Sequence, residues 1–94
     1  MLDIKNHTQE ALLEDLLAEL VADAQLVVYN DDENTFDWVI ECFMNVLDHS
    51  STQAEQLAMM IHFKGKATVK TAPKEVLKPM KSALIDRGLS VVIE

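Results

Sequence analysis

Asn30, Asp31, Asp32, Glu33 and Asn34 are five consecutive side chains with oxygen acceptors, set inside the stretch VVYNDDENTFDWVIECF that starts at Val27. A β-like run precedes them and an apolar helix pattern follows at once. Such a cluster can cap the helix, because acids near a helix start are favoured by its dipole. It can also bind a metal or receive a cationic ligand. Metal binding fits poorly: consecutive side chains cannot all converge, and no other acid or His cluster has ligand spacing. The alternating ligands and glycine of an EF-hand are absent as well. His62 is the other polar residue to weigh, at the end of a later helix and beside its apolar stripe, where a lone His is usually structural. Cys42 sits among apolar helical residues and reads as a buried thiol. No Ser/His/Asp or Cys/His arrangement and no glycine elbow occurs, and two glycines supply no phosphate-cradling loop. These residues argue against catalysis.

The elements that must hold them follow from periodicity. Residues 1–24 form an N-terminal extension in which Leu13, Leu16, Leu17, Leu20 and Val21 share one stripe of a helix. Leu26 to Tyr29 is a short buried strand. A helix is predicted from about Thr35 to Leu47, with Phe36, Val39, Ile40, Phe43, Val46 and Leu47 on one face and Asn34 as its cap. Thr52 with Glu55 forms a capping-box pattern for the next helix. Ala54, Leu57, Ala58 and Ile61 are its buried face, and Gly65 stops it in a left-handed conformation. KATVKT is a second strand, with Ala67 and Val69 on one side. A third domain helix spans 73–87, either kinked at Pro79 or starting there, and Gly88 ends it before the strand LSVVIE. The order strand-helix-helix-strand-helix-strand in residues 25–94 predicts an α+β domain. Its three-stranded antiparallel sheet packs against three helices, with residues 1–24 as an arm.

Composition sets the class. The 94 residues are 49% apolar, which suits one folded domain with a modest core. The single cysteine excludes an internal disulfide. No apolar run approaches the ~18 residues that span a bilayer, and Asp3 and Lys5 precede an acid-studded segment unlike a signal peptide. The chain reads as soluble and cytoplasmic. Its net charge of −8 argues against nucleic-acid binding. The charge is divided: residues 1–58 carry thirteen acids and one base, residues 59–94 three acids and seven bases. The acidic part suits a cationic ligand and the basic part an acidic partner surface.

VVYNDDENTFDWVIE, followed by AEQLAMMIHFKGKATV, resembles ClpS, the adaptor family of the ATP-dependent Clp protease. The family signature is an Asn-Asp-Asp turn after a strand and then a Val-Ile helix. Later comes a helix ending in His, an aromatic, one further residue and Gly-Lys-Ala. The resemblance covers roughly residues 26–94. It implies recognition of N-degrons, proteins whose exposed first residue is Leu, Phe, Tyr or Trp, and their delivery to a Clp ATPase for proteolysis. It implies that Asn30 and Asp31 bind the α-amino group and first peptide unit, with His62 completing the amine site. The apolar pocket would be lined by Asn34, Phe36, Val39, Ala58, Ile61 and Leu89. Asn34 stands where a Thr is common, Phe36 where many members carry a gating Met, and Ala58 where a larger Met is common.

The implied partner is the N-terminal domain of a ClpA- or ClpC-like AAA+ ATPase, contacted through Glu75 and, where the family has a Lys matched here by Met80, through the adjacent Lys81. The family connection before Leu89 is about six residues longer. The family extension is a mobile delivery arm, and residues 1–24 would be that arm or a helix docked on the domain. A monomer without cofactor or metal is expected, acting as an adaptor and not as an enzyme. Two rivals remain open on the residues alone. A protein–protein interaction module of ribosomal-stalk type shares the element order, and a metal- or proton-handling enzyme would use Asp31, Asp32 and His62.

Overall fold

The structure, a computed structural model, describes the backbone from Leu2 to Glu94 and the side chains from Gln9 onward. Its elements are α1 (Leu2–Val21), β1 (Asp23–Tyr29), α2 (Phe36–Leu47), α3 (Ser51–Lys64), β2 (Lys66–Pro73), α4 (Lys74–Asp86) and β3 (Ser90–Ile93). The sheet is antiparallel in the order β2-β1-β3. This is the α+β architecture and element order expected from the sequence.

The central strand β1 pairs Val28 with Ala67 on one side and with Val91 on the other. The β1–β2 register shifts between Leu26 and Val27, where Lys70 and Thr68 are their partners and Val69 is the extra residue of a bulge. Alternation in β1 sends Leu26 and Val28 to the helices. There they meet Phe43 and Leu47 of α2, Ala54 and Ile61 of α3, and Leu77 and Leu84 of α4 in one core. Phe43 is fully enclosed, and a buried Phe or Leu contributes roughly 1.5–3 kcal/mol by area. Cys42 is buried beside Phe43, and burial pushes its thiol up, so it is a small apolar filler and not a nucleophile.

Both expected caps lie elsewhere. Thr35, extended at φ −72°, caps α2 by accepting from Trp38 N at 3.1 Å, because the Asn34 side chain is engaged by other partners. Ser50 caps α3 by accepting from Gln53 N at 3.2 Å. The capping box at Thr52 does not form because α2 stops at Asp48, in the left-handed region, and α3 starts three residues later. Asp48 tolerates that φ because a short polar side chain can. Gly65 ends α3 at φ +89°, as expected. Pro79 lies inside α4, which runs unbroken from Lys74 to Asp86, so it is not the start of the helix. Pro79 is the sixth residue of α4, and its missing N–H leaves one bond to the Glu75 carbonyl unmade.

β1 starts at Asp23, two residues inside the segment read as the extension. α1 projects from the domain, so that the chain with α1 measures 63 Å in its longest dimension against 22 Å across. Leu12, Leu13, Leu16, Leu17, Leu20 and Val21 are each more than half exposed. The described residues of α1 therefore add nothing to the core. No described helix is long and apolar enough to cross a membrane.

Candidate functional site

The acidic turn is built by a carboxylate that folds back on its own loop. Asp31 Oδ1 accepts from Glu33 N at 3.0 Å and from Asn34 N at 2.9 Å. The Asn34 side-chain amide donates to Oδ1 at 3.0 Å and to Oδ2 at 2.8 Å. Burial pushes the Asp31 carboxyl up, but the Asn34 backbone and side-chain donors and the Glu33 N–H outweigh it and hold it below the ordinary carboxylate value. Asp31 is thus ionised at neutral pH. Among the described residues its Oδ2 accepts only from Asn34, and a carboxylate oxygen has capacity for a second donor.

This loop forms one wall of a cavity of about 310 Å³ lined by Asn30, Asp31, Asp32, Asn34, Phe36, Val39, Ala58, Ile61 and His62. Two helices supply the apolar side. Phe36 and Val39 stand one turn apart at the start of α2. Ala58 and Ile61 stand one turn apart near the end of α3, followed by His62. Helix spacing of three or four is what aligns each pair. Phe36 keeps 40% of its surface exposed, which a residue serving only the core would not. The small Ala58 leaves room in the same cavity.

The structure therefore brings Asn30, Asp31, Asn34, Phe36, Val39, Ala58, Ile61 and His62 to one cavity. Leu89 lies behind it, buried, in an adjoining recess of about 20 Å³ shared with Asn30, Asp31, Asn34, Val39 and Ile61. Asp32 lines the cavity too, a position that the sequence reading left out of the set. Glu75 and Lys81 are both on α4, six residues and so about 120° apart around it. Glu75 is ion-paired with Lys78 at 2.8 Å, which holds its carboxyl low.

A wider depression of about 480 Å³ lies past the other end of α2, lined by Leu47, Asp48, His49, Gln53, Leu57, Thr68, Val69, Lys70 and Thr71. Its lining mixes Leu47, Leu57 and Val69 with the polar side chains of Asp48, His49, Gln53, Thr68, Lys70 and Thr71. The smaller cavity, with acceptors at one side and an apolar hole at the other, is the better candidate for a specific ligand.

Sequence reasoning also missed Trp38, whose Nε1 donates to the Arg87 carbonyl at 3.0 Å, and the Asn34 amide bond to the Gly88 carbonyl at 2.9 Å. The shortened connection before Leu89 was the available signal, because it brings the α4–β3 turn against the start of α2.

Comparison with known proteins agrees with this architecture. The family model described as "ATP-dependent Clp protease adaptor protein ClpS" matches residues 22–91. An ATP-dependent Clp protease adapter protein ClpS from Thermosynechococcus vestitus is 32% identical over 68 residues, covering 71% of this chain and 72% of that protein. The structure of Agrobacterium tumefaciens ClpS2 bound to L-phenylalaninamide superposes with a TM-score of 0.74 at 19% identity, covering 78% of this chain and 95% of the other. From the turn, the cavity and a match across three-quarters of its length, the chain is a member of the ClpS family of adaptors of the ATP-dependent Clp protease.

Proposed function

We propose that this protein binds N-degrons, reading a free α-amine and a bulky apolar first side chain together, and delivers them to a Clp ATPase. The observation that carries the reading is the pairing, in one cavity of about 310 Å³, of an ionised Asp31 with the apolar walls of Phe36, Val39, Ala58 and Ile61. An N-terminal residue joins an ammonium to a side chain through one carbon, so its receptor needs acceptors directly beside an apolar hole. Asn30 and Asp31 receive the amine and the first peptide unit, His62 completes the amine site, and Asn34 and Leu89 support the wall. The similarly folded Agrobacterium protein holds L-phenylalaninamide, a free amine with a benzyl side chain, which is ligand chemistry of this kind.

A charge-assisted hydrogen bond contributes about 1.5–3 kcal/mol, and burying a Phe or Leu side chain adds roughly 1.5–3 kcal/mol. Association entropy offsets part of this, which leaves low-micromolar or tighter binding as the expectation. Delivery would use α4, with Glu75 and Lys81 facing the ATPase N-terminal domain, and α1 as the arm whose exposed leucines engage it. The adaptor works as a monomer and without chemistry of its own.

The test is fluorescence anisotropy with a labelled peptide beginning in Phe beside the same peptide N-acetylated. Binding of the free amine, lost on acetylation, is expected. Equal binding of the two, or failure of Phe, Leu, Tyr and Trp peptides alike, would leave the chain an interaction module of another kind.

A further inference from the structure

We propose that Trp38 and Asn34 are positioning residues for the amine site: together they clasp the Arg87–Gly88 turn and so hold the Asp31 carboxylate in the orientation it presents to the cavity. The proposal rests on the N-degron reading above and adds to it a residue outside the cavity and a turn from the far end of the chain.

The geometry starts at Asn34. Its side-chain nitrogen has two hydrogens and three acceptors around it: Asp31 Oδ1 at 3.0 Å, Asp31 Oδ2 at 2.8 Å and Gly88 O at 2.9 Å. One hydrogen is shared by the two carboxylate oxygens and the other goes to Gly88. A carboxylate and a carbonyl cannot donate, so the amide has only one workable orientation. Asp31 is therefore tied through Asn34 to the Gly88 peptide, 54 residues beyond Asn34.

Trp38 secures the preceding carbonyl of the same turn. Its indole N–H, a donor only, reaches Arg87 O at 3.0 Å. Its backbone N–H is taken by Thr35 Oγ1, which fixes the base of the side chain in the first turn of α2. Two adjacent carbonyls of the turn are thus held by two side chains from one five-residue stretch.

The turn suits this use. α4 ends with Gly88 N donating to Ile85 O at 2.9 Å and Leu89 N to Leu84 O at 3.1 Å, with Gly88 at φ +92°. This is a Schellman closure that sets the direction of the outgoing chain. Leu89 then drops into the recess behind Asp31 and Asn34. Only three residues separate α4 from β3, so the carbonyls cannot wander far from α2. Trp38 is 38% exposed and its ring is not part of the core. A hydrogen bond so placed adds little to global stability, and what it supplies is orientation.

The experiment uses the full chain with Trp38→Phe, which keeps an aromatic ring and removes the N–H, and Asn34→Ala, which removes both tethers of the amide. Two quantities are read: the Asp31 carboxyl midpoint in an NMR titration of the free protein, and the ratio of affinities for the free and N-acetylated Phe peptides. In Trp38→Phe the midpoint is expected to rise and the ratio to fall threefold to tenfold. Asn34→Ala moves both further. Glu75, whose partner Lys78 lies on α4 away from the clasp, keeps its midpoint in both variants. A discriminating wild type whose variants retain its ratio overturns the clasp, whether or not melting temperature drops or the Asp31 midpoint moves. A wild type that binds both peptides equally overturns amine recognition itself and this proposal with it.

Discussion

Asp31 and Asn34 lock one another: the Asp31 carboxylate accepts both the backbone N–H of Asn34, at 2.9 Å, and its side-chain amide, at 2.8 and 3.0 Å. The lock depends on charge, because the donors favour the ionised form and hold the carboxyl below its ordinary value. A carboxyl lowered on folding contributes stability in full above its unfolded pKa, ~3.9, and loses it as pH falls through the lower folded value. Asp31→Ala is therefore expected to cost about 1 kcal/mol at pH 7 and progressively less as pH falls below 4. Urea denaturation of both proteins at pH 7 and pH 3 measures this. An equal difference at both pH values would separate the lock from the charge.

His49 carries the opposite kind of group. Its Nδ1 is enclosed with no hydrogen-bond partner among the described residues, and the ring meets Phe43 edge-on with centroids 6.2 Å apart. Burial lowers its pKa, Lys70 lowers it further, and Asp48 opposes them. A base lowered on folding binds its proton more readily when unfolded. Stability is then full above the unfolded value, ~6.5, and declines as pH falls from there through the folded value. His49→Phe removes the orphaned nitrogen and is expected to stabilise by up to about 1 kcal/mol at pH 5.5, and to flatten the slope of stability between pH 7.5 and 5.5. A variant with the wild-type slope would assign that titration to another group.

On the N-degron reading, Ala58 would help set which first residue fits the cavity it lines. Ala58→Met puts a longer side chain into the lining that Phe36 shares and narrows the 310 Å³ space. Trp and Phe peptides are expected to weaken about tenfold or more, ~1.4 kcal/mol, and a Leu peptide less. Anisotropy with the three peptides reads the difference. A uniform loss would mean that Ala58 does not face the side chain.

Leucines divide sharply between two roles. Leu84 is fully buried and Leu16 is 57% exposed. Leu84→Ala is expected to cost about 2–5 kcal/mol by loss of packing, and Leu16→Ala less than about 0.5 kcal/mol. Chemical denaturation of the full chain tests both. A large effect at Leu16 would show that α1 docks on the domain in solution.

Much of the molecule was legible along the chain. Residues that alternate or recur every three or four positions announce β1, α2, α3 and β2, because the faces they bury are local properties of each element. The Asn-Asp-Asp turn and the order of the motifs around it carried the family, which the match over residues 22–91 bears out. Less legible were the helix starts. Thr35 and Ser50, not Asn34 and Thr52, cap α2 and α3, since several adjacent residues could each supply a capping oxygen and neighbours from elsewhere select among them.

Sequence alone determined the element order, the core stripes and the presence of an acidic turn joined to an apolar helix. Tertiary structure alone decided that Asp31 folds back on Asn34, that Trp38 and Asn34 hold the Arg87–Gly88 turn, and that Leu89 sits behind the cavity. The reason is sequence separation. Hydrogen bonds spanning 49 and 54 residues depend on how α4 and β3 return across the sheet. No local period records where that return places two backbone carbonyls.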